Sequence, residues 1–230
     1  MSDFEAVKQW LKSIENEPLE DMGGFFDRRV DGYEDHMRPW RDYYRWLGEL
    51  IPPHAKTLLD LGCGTGLELD EIFRLHPDLA VTGIDLAPGM LARLREKHPE
   101  RKLTLMAGDY LTIPLPPCAF DLAVAFETLH HLTPEQKLEL FRRIFAALRP
   151  GGALLEGDYT AESDEMEAYL FAELAKRRAR QNVPENVFVH FDTPLTLEHE
   201  LALLRQAGFA TEVLGWRGEA NTPMIRATKP

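Results

Sequence analysis

The sequence predicts an α/β protein with a mostly parallel sheet and helices on both faces. From residue 57 onward, short apolar runs alternate with amphipathic runs, which is typical of strands joined by helical crossovers. The chain of 230 residues is long enough for one substantial core and short for two full domains. A glycine-rich loop within "TLLDLGCGTGLELDEIF", residues 57–73, joins the first strand to a helix and indicates a nucleotide-like cofactor.

The N-terminal residues 1–51 predict a helical cover over this core. Residues 3–15 place apolar side chains on one helical face, after a capping box that starts at Ser2. Pro18 and the Gly23-Gly24 pair predict a break after this helix. The aromatic segment at 40–50 predicts a second helix, and aromatic side chains at helical spacing are more typical of core packing than of a ligand site.

Residues 52–160 predict the cofactor-binding core, with five strands and the helices between them. The helix that begins at Pro88 has proline in its first turn, where the missing N–H costs nothing. A capping box at Thr133 predicts the start of a later helix, and Gly151-Gly152 predicts its end. The predicted strands occupy residues 57–62, 80–86, 102–109, 120–129 and 152–159.

The last third of the chain predicts a second cover and a sheet edge. Residues 161–195 form an inserted helical cover, with a charged helix at 163–181. Residues 196–230 predict a helix that stops at Gly208, followed by two strands and a short turn between them. Such a pair is expected to be an antiparallel hairpin at the edge of the sheet.

Composition and charge narrow the classes of partner. Lysine and arginine number 26 against 38 acidic residues, a net charge of −12, which disfavours nucleic acid and anionic membranes as partners. The basic cluster "KRRAR" at 176–180 ends a helix that begins with acids, as the helix dipole favours without any ligand. Cys63 and Cys118 lack disulfide or metal-ligand spacing. With no signal-peptide pattern and no apolar membrane span, we expect a cytoplasmic protein.

The glycine loop leaves the identity of the cofactor open. Gly62, Gly64 and Gly66 allow a sharp turn and expose amide groups at a helix N-terminus. The dinucleotide fingerprint is G-x-G-x-x-G, and here the third glycine comes one residue early. Asp85, at the end of the second strand, is placed to accept both hydroxyls of a ribose, and Asp109 ends the third strand. A ribose is common to NAD and S-adenosylmethionine, so both remain candidates.

Five stretches in order resemble the class I S-adenosylmethionine-dependent methyltransferases: "LLDLGCGTG", "VTGIDLAPGML", "MAGDYLTIPLP", "FDLAVAFETLHHL" and "ALRPGGALL". They cover roughly residues 57–157, and "LLRQAGF" with two strands extends the match. The resemblance implies a three-layer α/β/α sandwich with a seven-stranded sheet of order 3-2-1-4-5-7-6, strand 7 antiparallel, under a helical N-terminal lid. It also implies S-adenosylmethionine as cofactor and S-adenosylhomocysteine as product.

The resemblance further implies which residues bind the cofactor. Asp60 and the glycine loop line the methionine moiety, and Asp85 binds the ribose. Leu86 and Met90 flank the adenine, whose amino group faces Asp109. The cofactor-binding residues implied in this way are Tyr33, Asp60, Gly62, Cys63, Gly64, Gly66, Asp85, Leu86, Met90, Gly108, Asp109, Tyr110, Phe126 and Glu127.

Methyl transfer needs in-line alignment, and a hydroxyl, phenol or carbon acceptor also needs a general base. His131, and next to it His130, are the candidate bases just past the fourth strand, although such a pair also serves to order a loop. Glu156 and Asp158 end the fifth strand as a polar rim without a third ligand, so we expect no metal.

We expect the acceptor to be a small, partly apolar molecule, because the segments that cover the site are aromatic and apolar. Three alternatives stay open at this point. The first is an NAD-dependent oxidoreductase, the second a tRNA methyltransferase, and the third a protein that binds S-adenosylmethionine without catalysis.

Overall fold

The computed structural model describes residues 3–217 and 221–230 and contains one seven-stranded sheet. Its order is β3-β2-β1-β4-β5-β7-β6, in which β1 to β5 are parallel and β7 runs antiparallel to both neighbours. The predicted order and orientation are confirmed. The strands are β1 (Thr57–Leu61), β2 (Ala80–Asp85), β3 (Leu103–Ala107), β4 (Phe120–Phe126), β5 (Leu148–Gly157), β6 (Ala210–Gly215) and β7 (Met224–Thr228).

Helices cover both faces of the sheet, because alternate side chains of each strand point to opposite sides. Leu58 of β1 belongs to a buried cluster with α4, α5 and α6, whereas Leu59 belongs to another with α7 and α9. The predicted three layers are therefore confirmed. The helices are α1 (Asp3–Ser13), α2 (Met22–Asp27), α3 (Val30–His36), α4 (Arg41–Leu50), α5 (Leu67–Leu75), α6 (Pro88–Lys97), α7 (Pro134–Ala147), α8 (Asp164–Gln181) and α9 (Leu197–Gln206), with a 3₁₀ turn at Arg38–Trp40. None of these helices is both long and apolar enough to cross a membrane.

The strand order places a crevice at one edge of the sheet. β1 pairs with β2 on one side and with β4 on the other, so the chain winds in opposite directions from β1. In open parallel sheets, ligands bind outside the carboxyl ends of the strands at this switch point. The glycine loop that follows β1 lies there.

The two covers pack against each other above this edge. α1 and α8 form a third apolar cluster with the segment around Val189 and Phe191. The amide of Met22 donates to the carbonyl of Phe188 at 2.9 Å, and the amide of His190 donates to the backbone carbonyl of Glu20 at 2.9 Å. The inserted cover therefore fixes the position of the start of α2.

Two boundary predictions at glycine pairs are wrong. Gly151-Gly152 does not end the preceding helix, because α7 already ends at Ala147 and both glycines lie in β5. Pro150 explains the earlier end, since the residue before a proline is disfavoured in a helix. The Gly23-Gly24 pair lies inside α2, where the side chain of Asp21 caps the helix by accepting from the amide of Gly24 at 2.7 Å.

The remaining boundary predictions concern the end of α1, its cap residue and the turn between β6 and β7. α1 ends at Ser13, two residues before the predicted end. The predicted cap residue Ser2 and the turn at 218–220 lie outside the described residues.

Candidate functional site

Both the backbone conformation and the lack of space for a side chain require glycine in this loop. Gly62, Gly64 and Gly66 all have positive φ, at 67°, 48° and 72°. A Cβ on Gly62 would lie 2.1 Å from Oγ1 of Thr128, and one on Gly66 would lie 2.4 Å from Cδ1 of Leu94. Any larger residue at these positions would therefore clash, and the backbone can approach a ligand closely at the start of α5.

Two carboxylates flank this loop, Asp60, which is buried, and Asp85, which is partly buried. Asp85, at the end of β2, accepts from the amides of Gly64 at 2.9 Å and Ala87 at 2.8 Å. Burial raises the pKa of Asp85, although both amides act in the opposite direction. Asp60 of β1 is fully buried, and its Oδ2 has no hydrogen-bond partner among the described residues. Burial and the neighbouring carboxyl of Glu68 raise the pKa of Asp60. An orphaned buried oxygen fits a ligand that brings a hydrogen-bond donor.

Helices α2 and α3 lie over the glycine loop. A Cβ on Gly64 would lie 3.6 Å from the ring of Tyr33, so this ring rests directly on the loop. Oδ1 of Asp27 accepts from the amide of Gly89 at 2.9 Å and ties α2 to α6. Between loop and helices remains an inner cavity of about 40 Å³, enough for a few water molecules.

The structure brings eight of the fourteen predicted cofactor residues to this inner cavity. They are Tyr33, Gly62, Gly64, Asp85, Leu86, Met90, Tyr110 and Glu127. Six do not line it: Asp60, Cys63, Gly66, Gly108, Asp109 and Phe126. Asp109 lines a neighbouring cavity instead, and the Cys63 side chain packs against β2 at Gly83. The ring of Phe126 packs against those of Tyr43 and Tyr44, at centroid distances of 5.6 and 5.3 Å.

Four residues that line the inner cavity were not predicted from the sequence: Met22, Phe26, Thr128 and Phe188. Three of them come from the two covers, and no motif marks those positions. The exception is Thr128, which lies inside the quoted stretch "FDLAVAFETLHHL".

A larger outer cavity of about 880 Å³ adjoins the inner one. Phe26, Tyr33, Glu127 and His131 line both cavities, so a group bound in one can contact a group bound in the other. Aromatic rings make up much of the wall. The outer cavity is lined by Phe25, Phe26, Arg28, Arg29, Gly32, Tyr33, His36, Met37, Trp40, Glu127, His130, His131, Tyr159, His190, Asp192, Asn221 and Thr222.

The two candidate bases have opposite protonation. Nδ1 of His130 donates to Oδ1 of Asp158 at 2.6 Å. Burial alone would lower the pKa of His130, but the Asp158 carboxylate raises it to about 9. Nδ1 of His131 lies 3.2 Å from the carbonyl of Phe191. Burial and the charge on His130 hold the pKa of His131 well below its usual 6.5. At pH 7 His130 is therefore an imidazolium and His131 is neutral.

Glu127 joins β4 to the covering segments. Its φ is +49°, an uncommon value for a residue with a side chain. Oε1 accepts from Nε1 of Trp40 at 3.2 Å and from Oγ1 of Thr222 at 2.7 Å. Burial raises the pKa of Glu127 to about 7. This uncommon backbone conformation places the Glu127 carboxyl group where the inner and outer cavities meet.

Groups with metal-ligand chemistry lie near the outer cavity. Two sets of three side chains, His130/His131/Asp192 and Glu127/His130/Asp158, bring nitrogen or oxygen atoms within 4.8 Å of one another. However, Nδ1 of His130 and Nδ1 of His131 already contact protein atoms. Glu156, predicted beside Asp158 on a polar rim, is instead fully buried in β5.

An open sheet of this order, with a glycine loop and two carboxylates at its switch point, defines a protein that binds a nucleotide-like cofactor. A family model described as a methyltransferase domain matches residues 58–152. A carboxy-S-adenosyl-L-methionine synthase of Chromohalobacter salexigens is 33% identical, with 90% of this chain and 87% of the relative covered. An uncharacterized methyltransferase of Geobacillus sp. (strain WCH70) is 28% identical, with 83% and 87% covered. The chain therefore belongs to the class I S-adenosylmethionine-dependent methyltransferases.

Solved structures share this fold. Human N-acetylserotonin methyltransferase in complex with S-adenosylmethionine matches 90% of this chain with a TM-score of 0.63 and 21% identity. The S-adenosylmethionine-dependent methyltransferase SibL matches 86% with a TM-score of 0.64 and 23% identity. This chain covers 56% and 58% of those two proteins. The enzyme class is methyltransferase and the cofactor is S-adenosylmethionine, which removes the alternative of an NAD-dependent oxidoreductase.

Proposed function

We propose that the protein transfers the methyl group of S-adenosylmethionine to a small-molecule acceptor bound in the outer cavity. One observation carries the proposal: the outer cavity adjoins the inner cavity across His131 and Glu127. A methyl donor in the inner cavity and an acceptor in the outer one would meet there. Transfer depends mainly on this alignment, because the sulfonium of the cofactor supplies a methyl group that is already activated.

The residues around the inner cavity fit this cofactor. Asp60 does not line the inner cavity, but it lies two residues before Gly62, and its orphaned Oδ2 would accept from the ammonium of the methionine moiety once the cofactor is bound. Asp85 would bind the ribose, Leu86 and Met90 would pack against the adenine, and Tyr33 would close the site from above. An inner cavity of about 40 Å³ is too small for the cofactor, so α2 and α3 would move outward when it binds.

His131 is the proposed general base for an acceptor that must lose a proton. It lines both cavities, and its low pKa leaves the ring neutral and able to accept a proton at pH 7. His130 would not take this role at neutral pH, because Asp158 already holds its proton. The alternative, in which the pair only orders the loop, predicts turnover that is unaffected when His131 is replaced.

A planar, partly apolar acceptor would fit the outer cavity best. Rings of Phe25, Phe26 and Trp40 contribute to its wall, and aromatic side chains pack well against flat apolar groups. The net charge of −12 disfavours tRNA as acceptor. Binding of tRNA that weakens steeply with salt would support that alternative.

The likeness to a carboxy-S-adenosyl-L-methionine synthase favours a second candidate function. In that case the reaction would modify S-adenosylmethionine itself. Mass spectrometry separates the two, because methyl transfer releases S-adenosylhomocysteine, whereas the alternative yields a cofactor in which a carboxylate group, supplied by a second substrate, has replaced one hydrogen.

The direct test incubates the protein with methyl-labelled S-adenosylmethionine and a metabolite extract. We expect one labelled small molecule and an equal amount of S-adenosylhomocysteine. Asp85→Ala should abolish both, and calorimetry should show at least a tenfold loss of cofactor affinity, since charged hydrogen bonds contribute about 1.5–3 kcal/mol. Asp78→Ala, which removes an exposed aspartate, is the matched control. Cofactor binding without any labelled product would indicate a non-catalytic binding protein.

A further inference from the structure

A third space, the side cavity, has a volume of about 380 Å³ and lies between α1, the connection from α1 to α2, and residues 190–192. Its wall is largely apolar. The main apolar contributors are Val7, Trp10, Leu11, Ile14, Leu170 and Phe191.

The two cationic side chains of the side cavity, Arg29 and Arg177, already have partners. The guanidinium of Arg177 is buried and donates to Oε1 of Glu173 at 3.0 Å and to the carbonyls of Leu11 at 2.7 Å and Ile14 at 3.2 Å. Arg29 pairs with Glu20 at 2.8 Å. Within residues 3–217 and 221–230, the buried polar side-chain atoms without a hydrogen-bond partner belong to Glu34, Asp60, Thr65, Glu156, Asp158 and Glu200, and none of these residues lines the side cavity. A polar ligand would find few free groups there.

The side cavity and the outer cavity are separated by a single layer of side chains. Phe25, Arg29, Tyr159, His190 and Asp192 line both spaces. The rings of Phe25 and His190 stack with centroids 3.5 Å apart and an angle of 6° between their planes, and both residues belong to this shared wall. A small rotation of these side chains would join the two cavities.

The side cavity is open to solvent on one side, since Trp10 in its wall is 53% exposed. The atoms that line it lack contacts on one side. An alkyl group that filled the space would restore those contacts and leave water, with a gain of about fourfold in affinity per methylene, equivalent to about 0.8 kcal/mol.

We propose that the side cavity binds an alkyl chain of the methyl acceptor. The acceptor would then have its reacting group in the outer cavity and an apolar chain that passes the Phe25 and His190 rings. This inference rests on the proposed function and names the class of acceptor as a molecule with a planar polar head and an aliphatic tail.

A homologous series of 4-alkylphenols tests the proposal by calorimetry with saturating S-adenosylhomocysteine. Affinity should rise about fourfold per methylene and level off when the chain fills the side cavity. Chains of equal length that end in a carboxylate should lose this gain, because the cations of the cavity are already paired.

Val7→Trp fills the side cavity from α1 and should remove the dependence on chain length without weakening phenol itself. Ala6→Trp adds the same bulk at an exposed position of the same helix and should change neither. Ile14→Trp, at the residue that follows α1, repeats the test if Val7→Trp fails to fold.

Three results would overturn the inference: equal affinity along the series, a chain-length dependence that Val7→Trp leaves intact, or no binding of any member. The proposed function fails separately, if S-adenosylhomocysteine itself does not bind. Binding of the product without any dependence on the chain would refute the side-cavity inference alone.

Discussion

Replacing Asp158 by Asn should shift the protonation of the histidine pair. Both residues of the Asp158–His130 contact are buried, and their 2.6 Å hydrogen bond carries charge. An asparagine at this position can still accept from Nδ1 of His130 but brings no charge. We expect the His130 pKa to fall from about 9 towards 6.5, since burial now acts against the imidazolium with less compensation.

The size of the effect follows from the shift. A rise of the His130 pKa from 6.5 to about 9, at about 1.4 kcal/mol per pH unit, corresponds to about 3 kcal/mol of stability. Because the folded pKa lies above the unfolded one, this stability is fully present below pH 6.5 and is lost as the pH rises through 9. Asp158→Asn should therefore lower the free energy of unfolding by about 3 kcal/mol at pH 6 and by much less at pH 9.5.

Urea unfolding at the two pH values measures the difference, and NMR titration of the His130 ring measures its pKa. Asp192→Asn is the matched control, because Oδ1 of Asp192 lies 3.7 Å from Nε2 of His130 on a side chain that is 39% exposed. It should change both quantities far less. An equal loss of stability at pH 6 and pH 9.5 would refute the argument from charge.

Three other outcomes are expected. The carboxylate of Glu200 is buried 2.6 Å from Nζ of Lys137, and Lys137→Met leaves it without its cation. The free energy of unfolding, measured with urea, should fall by about 3–5 kcal/mol, and Glu200→Leu should restore much of the loss. An unchanged unfolding midpoint in Lys137→Met would contradict this. Because the pKa of His131 is held well below 6.5, kcat for methyl transfer should decrease only when the pH falls well below 6.5. His131→Gln should lower kcat. A decrease of kcat that begins at pH 6.5 or above would exclude His131 as the base. Dialysis against EDTA should leave turnover unchanged, since Nδ1 of His130 and His131 already have protein partners, and an activity that returns only with added Mn²⁺ would show otherwise.

The sheet and one wall of the site could be predicted because their signals are local. Apolar alternation marks the strands, and positive φ at Gly62 and Gly66 requires glycine whatever the rest of the chain does. Asp85 follows from its place at the end of a strand. Parallel strands bring their carboxyl ends to one edge, so these residues meet without further information.

The acceptor side depends on contacts between segments far apart in the chain, and local patterns cannot encode them. Phe188 lines the inner cavity on a segment whose carbonyl accepts from the amide of Met22, 166 positions earlier in the chain. The His130 charge depends on Asp158, which lies 28 residues further along, and sequence spacing gave no reason to pair them. Gly151-Gly152 shows that a local signal can also be misplaced, since α7 ends earlier, before Pro150, and both glycines lie in β5.

The protonation of His130 in the outer cavity also depends on a residue of α7. Glu156 and Asp158 are two residues apart in β5 and its extension, so their side chains point the same way. Both oxygens of Glu156 lack a hydrogen-bond partner in the described part of the chain, and burial raises its pKa. The cation of Lys137 lowers the pKa of Asp158 in addition to the effect of His130. Lys137 lies on α7 and lines neither the inner nor the outer cavity, yet it helps to keep Asp158 ionised and His130 protonated. Burial is the main cause of the low pKa of His131 and the charge on His130 is the second, so replacing Lys137 should change the pH dependence of transfer without contacting either ligand.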